Sequence, residues 1–142
     1  MTERKSRILL AEDNDGDVFL IRRALDRKGL SHELVVAHNG EEALAWLEDH
    51  SGAANGSLAP DLIMLDLNLP RVDGAQLLSH IRKSDSFSST PVIVLTSSDS
   101  PKDRQMALDL GANLYFRKPT DLASFMDLGR IIEETLRAAV GD

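Results

Sequence analysis

Six polar side chains fall where apolar runs come to an end. RILLAED, at positions 7–13, closes on Glu12 and Asp13, and PDLIMLDL, at 60–67, carries Asp66 one residue before its end. PVIVLTS, at 91–97, closes on Thr96 and Ser97, and NLYFRKP, at 113–119, on Lys118 and Pro119. A carboxylate in a run as apolar as LIMLDL is costly to bury unless a partner, a metal or a chemical task stabilises its charge. Two unit charges about 4 Å apart repel by roughly 4 kcal/mol at an effective dielectric of 20, so three carboxylates brought together need a cation. A hard divalent ion such as Mg²⁺ takes oxygen ligands of this kind. A lysine ammonium and a threonine hydroxyl beside them are donors suited to phosphoryl oxygens, which completes the parts for in-line phosphoryl transfer to a carboxylate. Asp66, central among these groups, is the natural acceptor.

Such residues meet only if the elements that carry them place their ends together. RILLAED, ELVVA (33–37), PDLIMLDL, PVIVLTS and NLYFRKP read as five strands, most of them continuous apolar runs of the kind buried on both faces. Helical periods lie between and after them. GDVFLIRRALDRKG points Phe19, Leu20, Ala24 and Leu25 inward, and NGEEALAWLEDH points Ala43, Leu44 and Leu47 inward; DGAQLLSHIRKS, SPKDRQMALDLGA and TDLASFMDLGRIIEETLRAA follow. Asn39 three before Glu42, and Ser100 before Pro101, are helix-start signals, while Gly29 and Gly111 stand where helices should stop.

Strict alternation of strand and helix predicts parallel pairing through right-handed crossovers. The expected fold is therefore α/β, a flavodoxin-like doubly wound (βα)5 domain with a five-stranded parallel sheet in the order 2-1-3-4-5. In such sheets ligands bind beyond the carboxyl ends of the strands, where strand order reverses. Strands one and three are then neighbours, and Glu12, Asp13 and Asp66 converge. The Gly/Ala/Ser-rich stretch HSGAANGSLAP (50–60) reads as a surface loop, not a boundary, so residues 1–142 are expected to form a single domain with no effector domain.

Composition narrows the function further. A formal net charge of -7 with scattered Lys and Arg disfavours a nucleic-acid surface. Without cysteine there is no thiolate metal site and no cysteine nucleophile, and His32, His38, His50 and His80 form no metal-ligand spacing. The charged start MTERKSR runs into too short an apolar stretch for a signal peptide or membrane span, so a cytoplasmic protein is expected.

The acidic pair in ILLAEDN, then LDLNLPRVDG, VLTS and FRKP, in that order, closely resembles the receiver domain of two-component response regulators, over nearly the whole chain. EDNDGDVFLIRRAL, the long joint before strand three and LDLGANLYFRKPTDL are most similar to the stand-alone regulators that pair with phytochrome-type histidine kinases. The resemblance implies that Asp66 is the phosphoacceptor, Asp13 a direct Mg²⁺ ligand, Glu12 a ligand through water, and Asn68 a ligand through its backbone carbonyl. It implies that Thr96 and Lys118 hold the phosphoryl group, that Lys118-Pro119 is a cis peptide, and that Tyr115 is the switch aromatic. Glu12 stands where Asp is commoner in the family. Trp46 and Phe125 read as core residues.

The function expected on this basis is a phosphorylation switch: a phosphoacceptor signalling protein rather than an enzyme acting on a separate substrate. Its partners would be a sensor histidine kinase acting in trans, of the phytochrome type by the narrower resemblance, and a downstream protein target or phosphotransfer protein. No nucleic acid or membrane partner is implied. Leu122, Phe125, Leu128, Ile131, Ile132 and Leu136 make the last helical segment's apolar stripe wider than a sheet requires, so a homodimer or partner surface is expected on the face of helix four, strand five and helix five. Two rivals stand beside this reading. A Mg²⁺-dependent phosphohydrolase with an aspartyl nucleophile would place a second acid where Asn68 stands, and a receiver-like module that only binds partners would not need phosphorylation. Asp66 as an ordinary turn-capping residue before Pro70 is the bland account.

Overall fold

In β3 (Leu62–Asp66) successive side chains leave the strand on opposite faces, and both faces are apolar. Leu62 and Met64 join one buried cluster, and Ile63 and Leu65 join another. The computed structural model describes residues 5–51 and 59–139 and resolves this double burial into a three-layer architecture. Its elements run β1 (Ser6–Ala11), α1 (Asp15–Lys28), β2 (His32–Ala37), α2 (Gly40–Asp49), β3, α3 (Gly74–Lys83), β4 (Val92–Thr96), α4 (Pro101–Asp109), β5 (Leu114–Arg117), α5 (Leu122–Met126) and α6 (Leu128–Ala139). The five strands are parallel, as the alternation predicted, and lie in the expected order β2-β1-β3-β4-β5.

One core cluster packs Leu9, Ile63, Leu65 and Val94 against Ala43, Leu47, Leu77, Ile81 and Ala107 of α2, α3 and α4. The other packs Ile8, Leu10, Met64 and Leu95 against Ile21 and Leu25 of α1 and Phe125, Leu128 and Ile132 of α5 and α6. The helix starts follow the cap chemistry read from the sequence. Asn39 and Ser100 accept from the backbone N–H of Glu42 and Asp103, and Asp73 with Gln76 forms a reciprocal capping box at α3. α1 ends on Gly29 at φ 74°, a left-handed stop that glycine adopts without steric penalty.

Several sequence expectations are corrected. Phe19 is 59% exposed, because Val18, Ile21 and Leu25 supply the sheet-facing stripe of α1 and leave Phe19 beside it; Ala24 and Leu25 are buried as read, and Leu20 is half-buried. The last helical segment is two helices, with Asp127 between them. The Asp127 N–H donates to Ser124 O, three residues back, and its side chain accepts from Arg130, so the ladder tightens at that turn. Leu122 of the expected stripe is 51% exposed. No cis peptide occurs among the described residues, so Lys118-Pro119 is trans. The trans form is the ordinary preference of an X-Pro bond, and with it the Lys118 N–H donates to Thr96 O at 2.7 Å. The Gly/Ala/Ser-rich loop falls largely outside the described residues, and among those described no helix is long and apolar enough to cross a membrane.

Candidate functional site

β1 and β3 pair directly, Ala11 opposite Leu65, and this register sets the residues that follow each strand side by side. Glu12 and Asp13 come just after β1, whereas Asp66 is the last residue of β3. Each of the three offers a carboxylate oxygen within 4.8 Å of the others'. Glu12 is fully buried, Asp66 is 6% exposed and Asp13 is exposed, so the cluster opens from the sheet edge to solvent on the side of Asp13. The backbone packs tightly beneath it: a Cβ on Gly74 would lie 2.3 Å from Asp66 O, so the first residue of α3 must be glycine for that helix to meet the end of β3.

Lys118, one residue beyond β5, supplies the cation. Its Nζ lies 2.7 Å from Glu12 Oε1, 2.8 Å from Asp66 Oδ2 and 2.8 Å from Asp17 Oδ2. The contacts to Asp17 and Asp66 are aligned as hydrogen bonds, while Glu12 Oε1 has the lysine as a charge partner without hydrogen-bond alignment. Burial alone would lower the lysine's pKa, but the carboxylates of Asp17, Asp66 and Glu12 outweigh it and hold the ammonium charged well above the usual range. Burial acts in the other direction on Glu12 and, with the charge of Asp66 adding to it and Lys118 opposing it, pushes that carboxyl up to about 7. Backbone donors complete the shell: Asn68 N–H donates to Asp66 Oδ1 at 2.9 Å and Asn14 N–H to Glu12 Oε2 at 3.2 Å.

Thr96 is buried at the end of β4, and its Oγ1 accepts from Ser98 N–H at 3.2 Å. Ser98 is a junction: its hydroxyl donates to Asp103 Oδ2 at 2.7 Å, and its carbonyl accepts from the Tyr115 hydroxyl at 3.0 Å. Tyr115 is half-buried, with the Arg104 guanidinium 5.7 Å above its ring. Thr96 and Tyr115 are therefore linked through one residue of the loop leading to α4.

The structure thus brings Glu12, Asp13, Asp66 and Lys118 together, places Asn68 against Asp66 through its N–H, and connects Thr96 to Tyr115. Sequence reading passed over Asp17. An acidic residue in the first turn of a helix is ordinary macrodipole chemistry, and that account conceals its contact with Lys118, 101 positions away. Formally the pocket holds four carboxylates, Glu12, Asp13, Asp17 and Asp66, around one ammonium. The surplus is negative and made of oxygen donors, which suits a hard divalent cation.

Comparison with known proteins identifies the family and the fold. The model of the response regulator receiver domain matches residues 8–128. The chain is 41% identical over 127 residues to the probable methanogenesis regulatory protein FilR2 of Methanothrix harundinacea, covering 89% of this chain and 79% of that protein. It is 35% identical to the response regulator Rcp1 of Synechocystis, covering 89% and 85% of the two chains. Among solved structures it is similar to the phosphorylated cyanobacterial phytochrome response regulator RcpA, with a TM-score of 0.83, 37% identity and coverage of 95% and 96%. The Mn²⁺-bound form of Rcp1 superposes with a TM-score of 0.79 at 34% identity, covering 91% and 92%.

Proposed function

This chain belongs to the response regulator receiver domain family, and from that premise we propose that it is a stand-alone switch whose Asp66 accepts a phosphoryl group from a histidine kinase in a Mg²⁺-dependent transfer. The observation that carries the reading is the convergence of Glu12, Asp13, Asp66 and Lys118, contributed by three separate strand ends, within one partly buried pocket. An Asp66 carboxylate oxygen forms the bond to phosphorus while the donor's P–N bond breaks; the bonding pair stays on the imidazole nitrogen, which takes up a proton. Lys118 stays charged in the pocket and donates to the phosphoryl oxygens, and Thr96 adds its hydroxyl. Asp13 and Asp66 would hold the ion directly, Glu12 through water and Asn68 through its carbonyl. When bound, Mg²⁺ neutralises charge developing on the transferring group.

The link from Thr96 through Ser98 to Tyr115 supports the reading of Tyr115 as the switch aromatic, because a shift of the Thr96 loop changes the acceptor of the Tyr115 hydroxyl. Similarity to RcpA and Rcp1 favours a phytochrome-type sensor kinase as partner, with a downstream protein target or phosphotransfer protein in the cytoplasm. β5 is an edge strand with Leu114 41% exposed, beside exposed Met106 and Leu108 of α4, which supports the α4–β5–α6 face as a surface for self-association.

Intact mass spectrometry after incubation with acetyl phosphate tests the reading. A single phosphoryl gain that requires both Mg²⁺ and Asp66, and is lost in Asp66→Asn, is expected. No gain, with a known receiver labelled in parallel, would leave a phosphorylation-independent binding module.

A further inference from the structure

The Lys118 ammonium has three protons, and in this structure three carboxylates surround it: Glu12 Oε1 at 2.7 Å, Asp66 Oδ2 at 2.8 Å and Asp17 Oδ2 at 2.8 Å. Asp17 and Asp66 each accept one of these protons in an aligned hydrogen bond and Glu12 pairs with the charge, so the new anionic oxygens of a phosphoryl group on Asp66 compete with anions already held by the ammonium. The three are not equally easy to release. Glu12 is fully buried, and its Oε1 has no hydrogen-bond partner to fall back on, so loss of the lysine would strand a buried carboxylate. Asp66 carries the group itself. Asp17 sits on the first turn of α1 with its side chain 23% exposed, and can turn to water at little cost.

We propose that Asp17 is a positioning residue that acts through Lys118, a displaceable anion that occupies the ammonium in the unphosphorylated protein and competes with the phosphoryl group for it. The inference rests on the reading of Asp66 as phosphoacceptor. Asp17 also adds to the negative surplus of the pocket, so its two effects have opposite signs. It favours a divalent cation by its charge, and it opposes the phosphoryl group by charge and by taking a donor.

Beryllofluoride, which stands in for the phosphoryl group on an aspartate, is the probe, titrated at saturating Mg²⁺ into wild type, Asp17→Asn and Asp17→Ala. Mg²⁺ affinity is measured separately by calorimetry. Asp15→Asn removes the same formal charge from an exposed position on the same turn and serves as control. Removal of the Asp17 charge should tighten beryllofluoride binding about 3–10-fold while weakening Mg²⁺ by a similar factor. Asp15→Asn should leave beryllofluoride binding unchanged. Unchanged or weaker beryllofluoride binding in both Asp17 variants, or equal tightening in Asp15→Asn, would overturn the role of Asp17. Wild type that binds no beryllofluoride and gains no phosphoryl group would instead overturn the phosphoacceptor reading, and the inference with it.

Discussion

Two cations sit at opposite edges of the sheet, and their surroundings differ in kind. At the edge where the strands begin, the Arg82 guanidinium donates to Gly111 O at 2.8 and 3.0 Å, to Thr90 O at 2.7 Å, to Ser88 O at 3.2 Å, to Phe87 O at 3.4 Å and to Asn113 Oδ1 at 2.9 Å. Asn113 Oδ1 accepts in turn from Val92 N–H at 2.8 Å. Every one of these acceptors is neutral. They tie the end of α3 to the loops that lead into β4 and β5, and the arginine's planar fork is suited to several fixed oxygens at once. At the edge where the strands end, Lys118 meets carboxylates that outnumber it. One cation completes its surroundings and the other leaves a deficit. The lesson is that a saturated set of neutral acceptors makes a structural joint, whereas a surplus of charge marks a place where something must bind or react.

The contrast breaks most sharply at Lys118. Lys118→Met should slow acetyl phosphate labelling by about 100-fold or more, as loss of a donor to developing charge does. It should also destabilise the metal-free protein by about 3 kcal/mol at neutral pH, since Glu12 and Asp66 lose their counter-charge. Added Mg²⁺ should restore part of that stability, which urea denaturation with and without the ion will read. Arg82→Met should cost about 2–3 kcal/mol by the same assay, through acceptors left to water, and Mg²⁺ should restore none of it. Equal rescue of both variants by Mg²⁺ would erase the distinction between joint and site.

Glu12 sharpens the comparison through pH. Its folded pKa of about 7 lies above the ordinary 4.5 because burial disfavours the charged form, so the folded state binds the proton more tightly than the unfolded one. The stability linked to that proton is fully present below the unfolded value and is lost as pH rises through about 7. Metal-free protein should therefore gain stability as pH falls from 8 to 5.5, by at most about 1.4 kcal/mol per pH unit, and Glu12→Gln should flatten this slope. Melting curves in EDTA across that range will check it. The smallest effect is expected at Asp13, which adds negative charge from the exposed side of the cluster. Asp13→Asn should raise the metal-free melting temperature by about 2–4 °C while weakening Mg²⁺ binding. A lower melting temperature would mean that the carboxylates are not crowded.

Much of this edge is legible in the sequence. Glu12, Asp13, Asp66, Thr96 and Lys118 each end or follow an apolar run, and the alternation of strands with helices predicts that those ends share one side of a sheet. Phe19 was misplaced because helical periodicity has a phase as well as a period, and the phase depends on where the sheet lies. Arg82 was passed over among scattered basic residues, since nothing local marks a side chain whose acceptors lie up to 31 positions away.

The class of fold and the set of groups able to do phosphoryl chemistry were readable from the chain alone, because periodicity, capping and residue type are local properties. Only the tertiary structure decided how charge is shared among those groups. Which carboxylates reach Lys118, that Asp17 is one of them, and that burial raises Glu12 all depend on distances of about 3 Å between residues from β1, α1, β3 and the segment after β5. Electrostatic energies vary with separation and burial, and neither is encoded in spacing along the chain.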